Sequence, residues 1–325
     1  MKILLVGLGR WGEKHLRVLG ELGVERWVAD VDPDRRALAI GAGVAPACVV
    51  DDFRRALPQV DAVDIVTPAE SHLAIAADCL GAERDCFIEK PLTLTVPEGE
   101  RLAALAAATT RVVQVGHIFR FHPVTVALRE RLAAGALGRV RYCAGRFAGF
   151  KRPRTDVGVT QADAIHYFDL FAYLLDRDAT AVTATLRDHL GRGLDDCSFT
   201  TVEYGDVPAH IEAGYFAPGT HRECVIAGER ATLDADFGSG QVRVLANRHL
   251  ETPTGWQAAE GAVESFKAAG PEPLRRQLEL FLDAVARRGA AVVDVQAGLA
   301  AMRVVEAAQR SSLLGRRVSL SPRLR

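Results

Sequence analysis

Three glycines near the N-terminus, Gly7, Gly9 and Gly12, have G-x-G-x-x-G spacing between an apolar run and an amphipathic stretch. In a strand–turn–helix unit, the first glycine permits a tight turn and the second lets backbone amides approach a diphosphate. The third lets the helix pack closely on the sheet. This arrangement predicts a dinucleotide site that includes the intervening loop residues, which are Leu8, Arg10 and Trp11.

An acidic residue stands where the second strand of such a unit ends. Asp30 follows Gly12 by 18 residues, the separation expected for a carboxylate that binds the adenosine ribose hydroxyls. Because it also repels a 2′-phosphate, the interpretation favours NAD over NADP. Asp32 is an alternative ribose ligand, and Arg35 and Arg36 would suit a 2′-phosphate. A phosphate-free structural turn is the plain alternative.

The first 120 residues alternate short apolar runs with helical patterns, which is typical of a doubly wound parallel sheet. We therefore predict an α/β fold, with an N-terminal Rossmann domain over residues 1–120. The predicted strands are Ile3–Val6, Trp27–Ala29, Ala47–Val50, Ala62–Val66, Cys86–Ile88 and Val112–Val115.

Residues 121–325 are predicted to form an α+β domain for substrate binding and oligomerisation. Two helical patterns are followed, from about Thr180 to Asn247, by β-rich segments of an open, mostly antiparallel sheet. Residues 248–272 have little pattern and are predicted to be a loop. Two final helices, near 272–288 and 295–313, are expected to pack back on the first domain.

Composition excludes several classes of partner. A formal net charge of −1 gives no basic field, so no nucleic acid is expected, and no apolar run reaches the roughly 18 residues of a membrane span. The six cysteines are scattered without metal-binding spacing, so no metal is predicted. Scattered cysteines also favour a reducing, cytoplasmic location.

Six motifs occur in order along the chain: "GLGRWGEKH", "VADVDPDR", "DAVDIVTPAESH", "FIEKPL", "VGHIFRFHP" and "DAIHYFDL". In this order and spacing the sequence resembles the Gfo/Idh/MocA oxidoreductases over essentially its whole length. The "GHIFRFHP" form is most similar to members that act on nucleotide-activated amino sugars, such as UDP-N-acetylglucosamine 3-dehydrogenases. The resemblance implies an NAD-dependent homodimer or homotetramer that oxidises a sugar, polyol or nucleotide-sugar hydroxyl.

The segment "FIEKPL" ends a predicted strand in Glu89 and Lys90, held by Pro91. Ligands of open α/β sheets bind at the carboxyl ends of the strands, where an ammonium group can stabilise a developing alkoxide. The resemblance makes Glu89-Lys90-Pro91 the family signature, in which Glu89 and Lys90 both contact the cofactor. It also implies that Lys90 is catalytic, contacts the substrate, and often precedes a cis bond. A strand that ends in solvated charges is the alternative.

The resemblance also places Thr67 and Pro68 against the cofactor, with His72 nearby. The same residues are a good helix start, with proline in the first turn.

His166, in "DAIHYFDL", is the predicted catalytic base, because the resemblance puts a histidine here that accepts the substrate hydroxyl proton. An ordinary pKa of about 6.5 suits that task. Many family members have an aspartate four residues earlier, where this chain has Ala162. Asp163, one residue along, is the candidate replacement, whereas Asp169 is expected to be structural.

Three further residues are predicted to bind substrate: His117, Arg120 and Arg152. The motif departs from the commoner family form at Ile118, where an asparagine often stands. Arg152 belongs to the basic stretch "FKRPR", which suits a sugar phosphate or a nucleotide diphosphate and suits equally a solvated loop.

Two other functions stay open from sequence. Some relatives use bound NAD for transient oxidation while they cleave glycosidic bonds, and the same fold also serves a non-catalytic NAD-binding sensor. Retention of both Lys90 and His166 argues against the sensor, and Ala162 argues mildly for it.

Overall fold

The structure, a computed structural model, describes residues 1–321. The chain forms two compact units. The first contains residues 1–118 and 272–302, and the second contains residues 119–271 and 303–321.

The first unit is built on a six-stranded parallel sheet. Its strands are β1 (Lys2–Val6), β2 (Glu25–Ala29), β3 (Val49–Val50), β4 (Ala62–Ile65), β5 (Asp85–Ile88) and β6 (Val113–Val115), in the order β3-β2-β1-β4-β5-β6. Helices α1 (Gly12–Glu21), α2 (Pro33–Gly41), α3 (His72–Gly81) and α4 (Val96–Ala107) connect them. The predicted Rossmann-type sheet is confirmed.

Local sequence explains where these elements begin. All four residues of β4 and of β5 are buried, as expected for strands covered on both faces. Helix α4 starts with a capping box, in which Thr95 and Glu98 each bind the backbone amide of the other.

The second unit contains α5 (Pro123–Ala133), α6 (Ile165–Leu175) and a nine-stranded mixed sheet. Its strands are β7 (Val140–Gly149), β8 (Ala181–Arg187), β9 (Cys197–Tyr204), β10 (Val207–Gly214), β11 (Thr220–Gly228), β12 (Thr232–Asp236), β13 (Gln241–Leu245), β16 (Val263–Lys267) and β17 (Val318–Ser319). Strands β14 (Arg248–Thr252) and β15 (Gly255–Ala259) form a separate hairpin. Helix α7 (Pro273–Arg287) belongs to the first unit, and helix α8 (Val295–Leu314) begins in the first unit and ends in the second. The β10–β7 pair is parallel and the other pairs are antiparallel, so the predicted mostly antiparallel sheet is confirmed.

Helix α6 lies against one face of this sheet, and a close approach fixes its position. A side chain at Gly145 of β7 would place its Cβ 2.6 Å from the Tyr167 ring, so only glycine fits there. The Tyr167 hydroxyl donates to the Glu223 carbonyl of β11 at 2.5 Å. The start of α6 is thereby anchored to the centre of the sheet.

Two expectations for this unit are corrected. Residues 248–272 are not a loop, because they contain β14, β15 and β16. These strands are exposed along most of their length, and a strand without a buried face has no alternation of apolar and polar residues to reveal it. The long central strand β7, over Val140–Gly149, is also additional to the predicted strands.

Within residues 1–321, no helix is long and apolar enough to cross a membrane. The same residues contain no group of three His, Cys, Asp or Glu side chains arranged to hold a metal ion. All six cysteines are unpaired.

Candidate functional site

In the glycine loop of the first unit, the first and third glycines have no room for a side chain, whereas the second faces open space. Gly7 has a φ of +93°, and a Cβ there would lie 2.7 Å from the Val66 carbonyl oxygen. A Cβ at Gly12 would lie 2.1 Å from the Gly7 oxygen, so α1 begins in direct contact with the turn. A Cβ at Gly9 would meet nothing within 4 Å. The loop therefore fits a dinucleotide diphosphate, which could approach the backbone at Gly9 and the positive end of α1.

The remaining loop residues differ in environment. Leu8 is fully buried in the core, whereas Arg10 is exposed. Trp11 precedes the first residue of α1, and the Lys14 ammonium lies 4.5 Å from the centroid of its ring. Of the three, Leu8 faces the core, so any contact it makes with a cofactor is through its backbone.

Asp30 connects the end of β2 to the glycine loop. Its Oδ2 accepts from the Leu8 amide at 2.7 Å, and its Oδ1 accepts from the Asp32 amide at 2.9 Å. Each carboxylate oxygen accepts more than one hydrogen bond, so Asp30 still has capacity for ribose hydroxyls. The alternative residues are engaged elsewhere: Asp32 caps α2, Arg35 pairs with Glu13, and Arg36 donates to the Asp30 and Val31 carbonyls.

The turn after β4 is fixed by internal hydrogen bonds. The Ser71 hydroxyl lies 2.7 Å from Thr67 Oγ1 and 2.8 Å from the Pro68 carbonyl oxygen. His72 Nε2 faces the Thr67 oxygen at 2.9 Å, and its Nδ1 faces the Pro91 oxygen at 3.0 Å. Burial lowers the pKa of His72. His72 thus links the turn after β4 to the turn after β5, and both of its ring nitrogens face backbone carbonyl oxygens.

A buried charge network lies under the segment that ends β5. His15 Nδ1 is 2.8 Å from Asp64 Oδ2, and His15 Nε2 is 3.3 Å from Glu89 Oε1. Although burial alone lowers the pKa of His15, the two carboxylates raise it to about 10. Burial alone raises the pKa of Glu89, but His15 and then Trp11 and Lys90 bring it below its usual value. Glu89 is therefore held as a carboxylate beside a protonated His15.

Glu89 in turn fixes its neighbours. Its Oε2 accepts from the Lys90 amide at 3.1 Å, and the Lys90–Pro91 bond is cis. Gly116 leaves room for the same carboxylate, because a Cβ there would lie 2.8 Å from Glu89 Oε1. Next to Gly116, the predicted substrate residue His117 is buried.

In the second unit, His166 lies one residue into α6 and packs against aromatic rings. It is 6% exposed and stacks on Phe119 at 4.7 Å and on Phe147 at 5.2 Å between ring centroids. The three centroids form a triangle, since Phe119 and Phe147 are themselves 5.9 Å apart. This setting holds the imidazole away from bulk water and restricts its rotation.

The backbone before His166 is a π-turn over Thr160–Ala164, in which the Ile165 amide donates to the Thr160 oxygen. Asp195 holds the start of the turn, because its Oδ2 accepts from the Thr160 amide at 2.8 Å and its hydroxyl at 2.6 Å. A π-turn displaces the helical register, and such turns are frequent at functional sites.

Asp163 and Arg120 are each part of an ion pair. Asp163 Oδ2 lies 2.7 Å from Lys151 Nζ. Arg120 binds Asp169 with two parallel hydrogen bonds, of 2.8 and 2.5 Å, and the Asp169 side chain is 1% exposed. Arg120 therefore has an ion-pair partner inside the unit, although sequence suggested that it meets the substrate. Arg152 lies exposed in the loop after β7.

Sequence reasoning did not assign four residues of these clusters: His15, Asp64, Gly116 and Phe147. His15, Asp64 and Gly116 lie in the motifs quoted above. For His15 and Asp64, the sequence signal of a buried polar residue is an ionisable side chain among apolar neighbours. Phe147 had none, because β7 was not predicted.

Comparison with known proteins adds two matches to family models. Residues 1–117 match the model described as "Oxidoreductase family, NAD-binding Rossmann fold". Residues 125–234 match the model of the GFO/IDH/MocA C-terminal domain.

Relatives align along the full length of the chain. Inositol 2-dehydrogenase 1 of Saccharopolyspora erythraea is 31% identical, covering 96% of this chain and 94% of that protein. UDP-N-acetylglucosamine 3-dehydrogenase of Acidithiobacillus ferrooxidans is 28% identical, covering 95% of each. A solved structure of levoglucosan dehydrogenase in complex with NADH has a TM-score of 0.85 at 19% identity, covers 99% of each chain, and shows the same fold.

Proposed function

The chain belongs to the Gfo/Idh/MocA family of NAD-binding oxidoreductases, and from this premise we propose that it oxidises a hydroxyl of a sugar, polyol or nucleotide sugar. It is an NAD-dependent dehydrogenase that acts on CH–OH groups. NAD, when bound, supplies the hydride acceptor or donor. The observation that best supports the proposal is the His15–Asp64–Glu89 network directly beneath Lys90.

Lys90 has the electrostatic role in this proposal. The Glu89 carboxylate accepts a hydrogen bond from the Lys90 amide, and the charge of Lys90 helps to hold the pKa of Glu89 below its usual value. An oriented ammonium group stabilises the negative charge that develops on the substrate oxygen, and it does so best where water is excluded.

His166 is the proposed proton acceptor. Its stacking on Phe119 and Phe147 fixes the ring plane, so a ring nitrogen can be directed at a bound hydroxyl. Asp163 acts on this base indirectly, through the charge that it shares with Lys151.

Asp30 is the proposed determinant of NAD over NADP. It stands at the end of β2 with both oxygens directed at backbone amides of the loop and the strand end. A carboxylate there accepts ribose hydroxyls and repels a 2′-phosphate. Arg35 and Arg36, the residues that would favour a phosphate, are bound to Glu13 and to backbone carbonyls.

A homo-oligomer is proposed to form through the sheet face opposite α6. That face holds a groove of about 500 Å³ and the half-exposed Phe199. Its charges include both signs, as in the Arg146–Glu212 pair, so a second copy can be complementary to it. Light scattering of the parent and of Phe199→Glu tests this proposal, and the variant is expected to have the lower mass.

A cytoplasmic location is the remaining proposal. It rests on six unpaired cysteines, four of which are almost fully buried as small apolar side chains: Cys79, Cys86, Cys143 and Cys224. Fractionation of native cells with an antibody against the chain tests it.

A substrate screen tests the activity. Sugars, polyols and nucleotide sugars are incubated with NAD, and NADH absorbance is followed for the parent and for Lys90→Met. Steady accumulation of NADH with one substrate class supports a dehydrogenase. Cleavage of a glycoside without net NADH would instead indicate transient oxidation, and NAD binding without any turnover would indicate a sensor.

A further inference from the structure

Arg222 of β11 lies on an aromatic ring that also contacts His166. Arg222 and Phe147 are directly opposed cross-strand neighbours, and the guanidinium carbon is 3.4 Å from the Phe147 centroid. One guanidinium nitrogen, Nη1, donates to the Ala148 oxygen at 3.1 Å and to the His221 oxygen at 2.5 Å. These contacts hold the plane of the guanidinium group fixed against the ring.

The charge of this group is not balanced by a carboxylate in contact. Among residues 1–321, no carboxylate oxygen lies within 4.0 Å of the Arg222 nitrogens. Burial lowers the pKa of Arg222, which means that its charge is partly withdrawn from water. The adjacent Glu223 belongs to the other face of the sheet and pairs with His221 at 2.8 Å. A partly desolvated cation without a contacting anion is costly, so an anionic ligand bound here would offset part of that cost.

A second cation approaches the same ring. Lys151 Nζ lies 4.8 Å from the Phe147 centroid and pairs with Asp163. Two positive groups, Lys151 and Arg222, therefore lie against Phe147. One carboxylate, that of Asp163, pairs with Lys151. These three side chains together carry one positive charge, next to the ring on which His166 stacks.

We propose that Arg222, assisted by Lys151, binds an anionic group of the substrate, a carboxylate or a phosphate ester, while the reacting hydroxyl meets His166. The inference rests on the proposed function in one respect, which is that His166 faces the reacting hydroxyl. Within residues 1–321, Nε and Nη2 of Arg222 make no hydrogen bond to the protein, and they form the planar edge that suits two oxygens of one anion. Sugar acids, sugar phosphates and nucleotide sugars are then preferred over neutral polyols.

Paired substrates that differ only in charge test the subsite. The holoenzyme with NAD is assayed on glucose against glucuronate, glucose 6-phosphate and UDP-glucose, and on the corresponding galactose series. The parent is expected to use at least one anionic member about 10- to 100-fold more efficiently than its neutral partner, the contribution of a hydrogen-bonded charge. The member preferred distinguishes a carboxylate from a phosphate monoester and from a diphosphate.

Arg222→Gln is expected to raise KM for the anionic substrate by about 10- to 100-fold with kcat changed only a few-fold, and to leave the neutral partner unaffected. Arg222→Lys should recover part of the loss. Arg248→Gln, at an exposed arginine of β14, is the matched control and should behave like the parent. Thermal melting of each variant separates loss of binding from loss of folding.

Equal use of charged and neutral partners by the parent overturns the proposal, as does an equal loss on both substrates in Arg222→Gln. If no sugar of either kind is oxidised, the dehydrogenase assignment fails by itself. Calorimetric titration of the NAD-loaded protein with glucuronate and with glucose 6-phosphate then still tests the subsite. Binding to the parent that is lost in Arg222→Gln supports the proposal, and equal heats of binding in both proteins refute it.

Discussion

His15 Nδ1 lies 2.8 Å from Asp64 Oδ2, and neither side chain reaches solvent. Together with Glu89, these residues place three ionisable groups in the interior of the first unit. Removing one member of such a set leaves its partners buried and unbalanced, so the effect on the variants should be large.

His15→Asn should lower the free energy of unfolding by about 3–5 kcal/mol, because Asp64 and Glu89 then lose the cation between them. Urea unfolding followed by circular dichroism measures the change. Arg55→Ala, which removes the exposed pair with Asp51, is the control and should cost less than about 1 kcal/mol. Similar losses in both variants would show that the buried network adds no special stability.

The same network predicts a pH dependence of stability. The pKa of His15 is raised from 6.5 to about 10, so its contribution is fully present below pH 6.5 and disappears as the pH rises through 10. The pKa of Glu89 is lowered from 4.5, so its contribution is present above pH 4.5 and is lost in more acidic solution. The parent should therefore lose stability between pH 7 and 10, and His15→Asn should show a flatter profile. Thermal melting across that range tests the difference.

Lys90→Met should reduce turnover by about 10²-fold or more, the effect of losing one oriented electrostatic group. Methionine keeps most of the apolar stem, so the affinity for NAD should change much less. Lys2→Met, at an exposed lysine of the same unit, is the control. Stopped-flow or steady-state assays of NADH formation measure turnover. Near-normal rates in Lys90→Met would show that Lys90 has no catalytic role and only ends a strand.

Asp30→Ala should narrow the preference for NAD over NADP and also loosen the glycine loop, because the Leu8 amide loses its acceptor. Asp32→Ala removes only the cap of α2 and should leave the cofactor preference intact. Calorimetric titration with both cofactors compares the variants. A parent that prefers NADP would reverse the assignment.

His166→Asn should abolish most activity together with the rising limb of the pH–rate profile. Asp163→Asn leaves the Lys151 charge unbalanced, so the midpoint of that limb should move to lower pH. Lys151→Met leaves the Asp163 charge unbalanced and should move the midpoint upward. If the midpoint moved in the same direction in both variants, the charges of Asp163 and Lys151 would not be what sets the pKa of the catalytic base.

Whether a strand can be predicted from the sequence depends on how much of it is buried. Strands β4, β5 and β6 of the first sheet are recognisable because every residue is buried and most are apolar, as in Asp85–Ile88 after its first position. Strand β14 shows the opposite case, since an exposed hairpin has no apolar face.

The candidate site divides in the same way. Gly7, Gly9 and Gly12 are predictable because the backbone itself requires them. The pairing of His15 with Asp64 joins residues 49 positions apart, and Arg222 meets Phe147 only because β11 pairs with β7. These contacts join residues that are far apart in the sequence, so no local pattern of residues could predict them.

The π-turn at Thr160–Ala164 has a consequence for how this part of the family is aligned. Because the backbone bonds there span five residues instead of four, a helical wheel drawn back from His166 assigns Ala162 and Asp163 to the wrong faces. One residue is surplus to the α-helical path, and the clamp at Asp195 and the packing of Tyr167 hold both ends in place. Loss of one residue within the turn would therefore change which residue before His166 lies next to the imidazole, while Asp195 and Tyr167 keep the two ends in place.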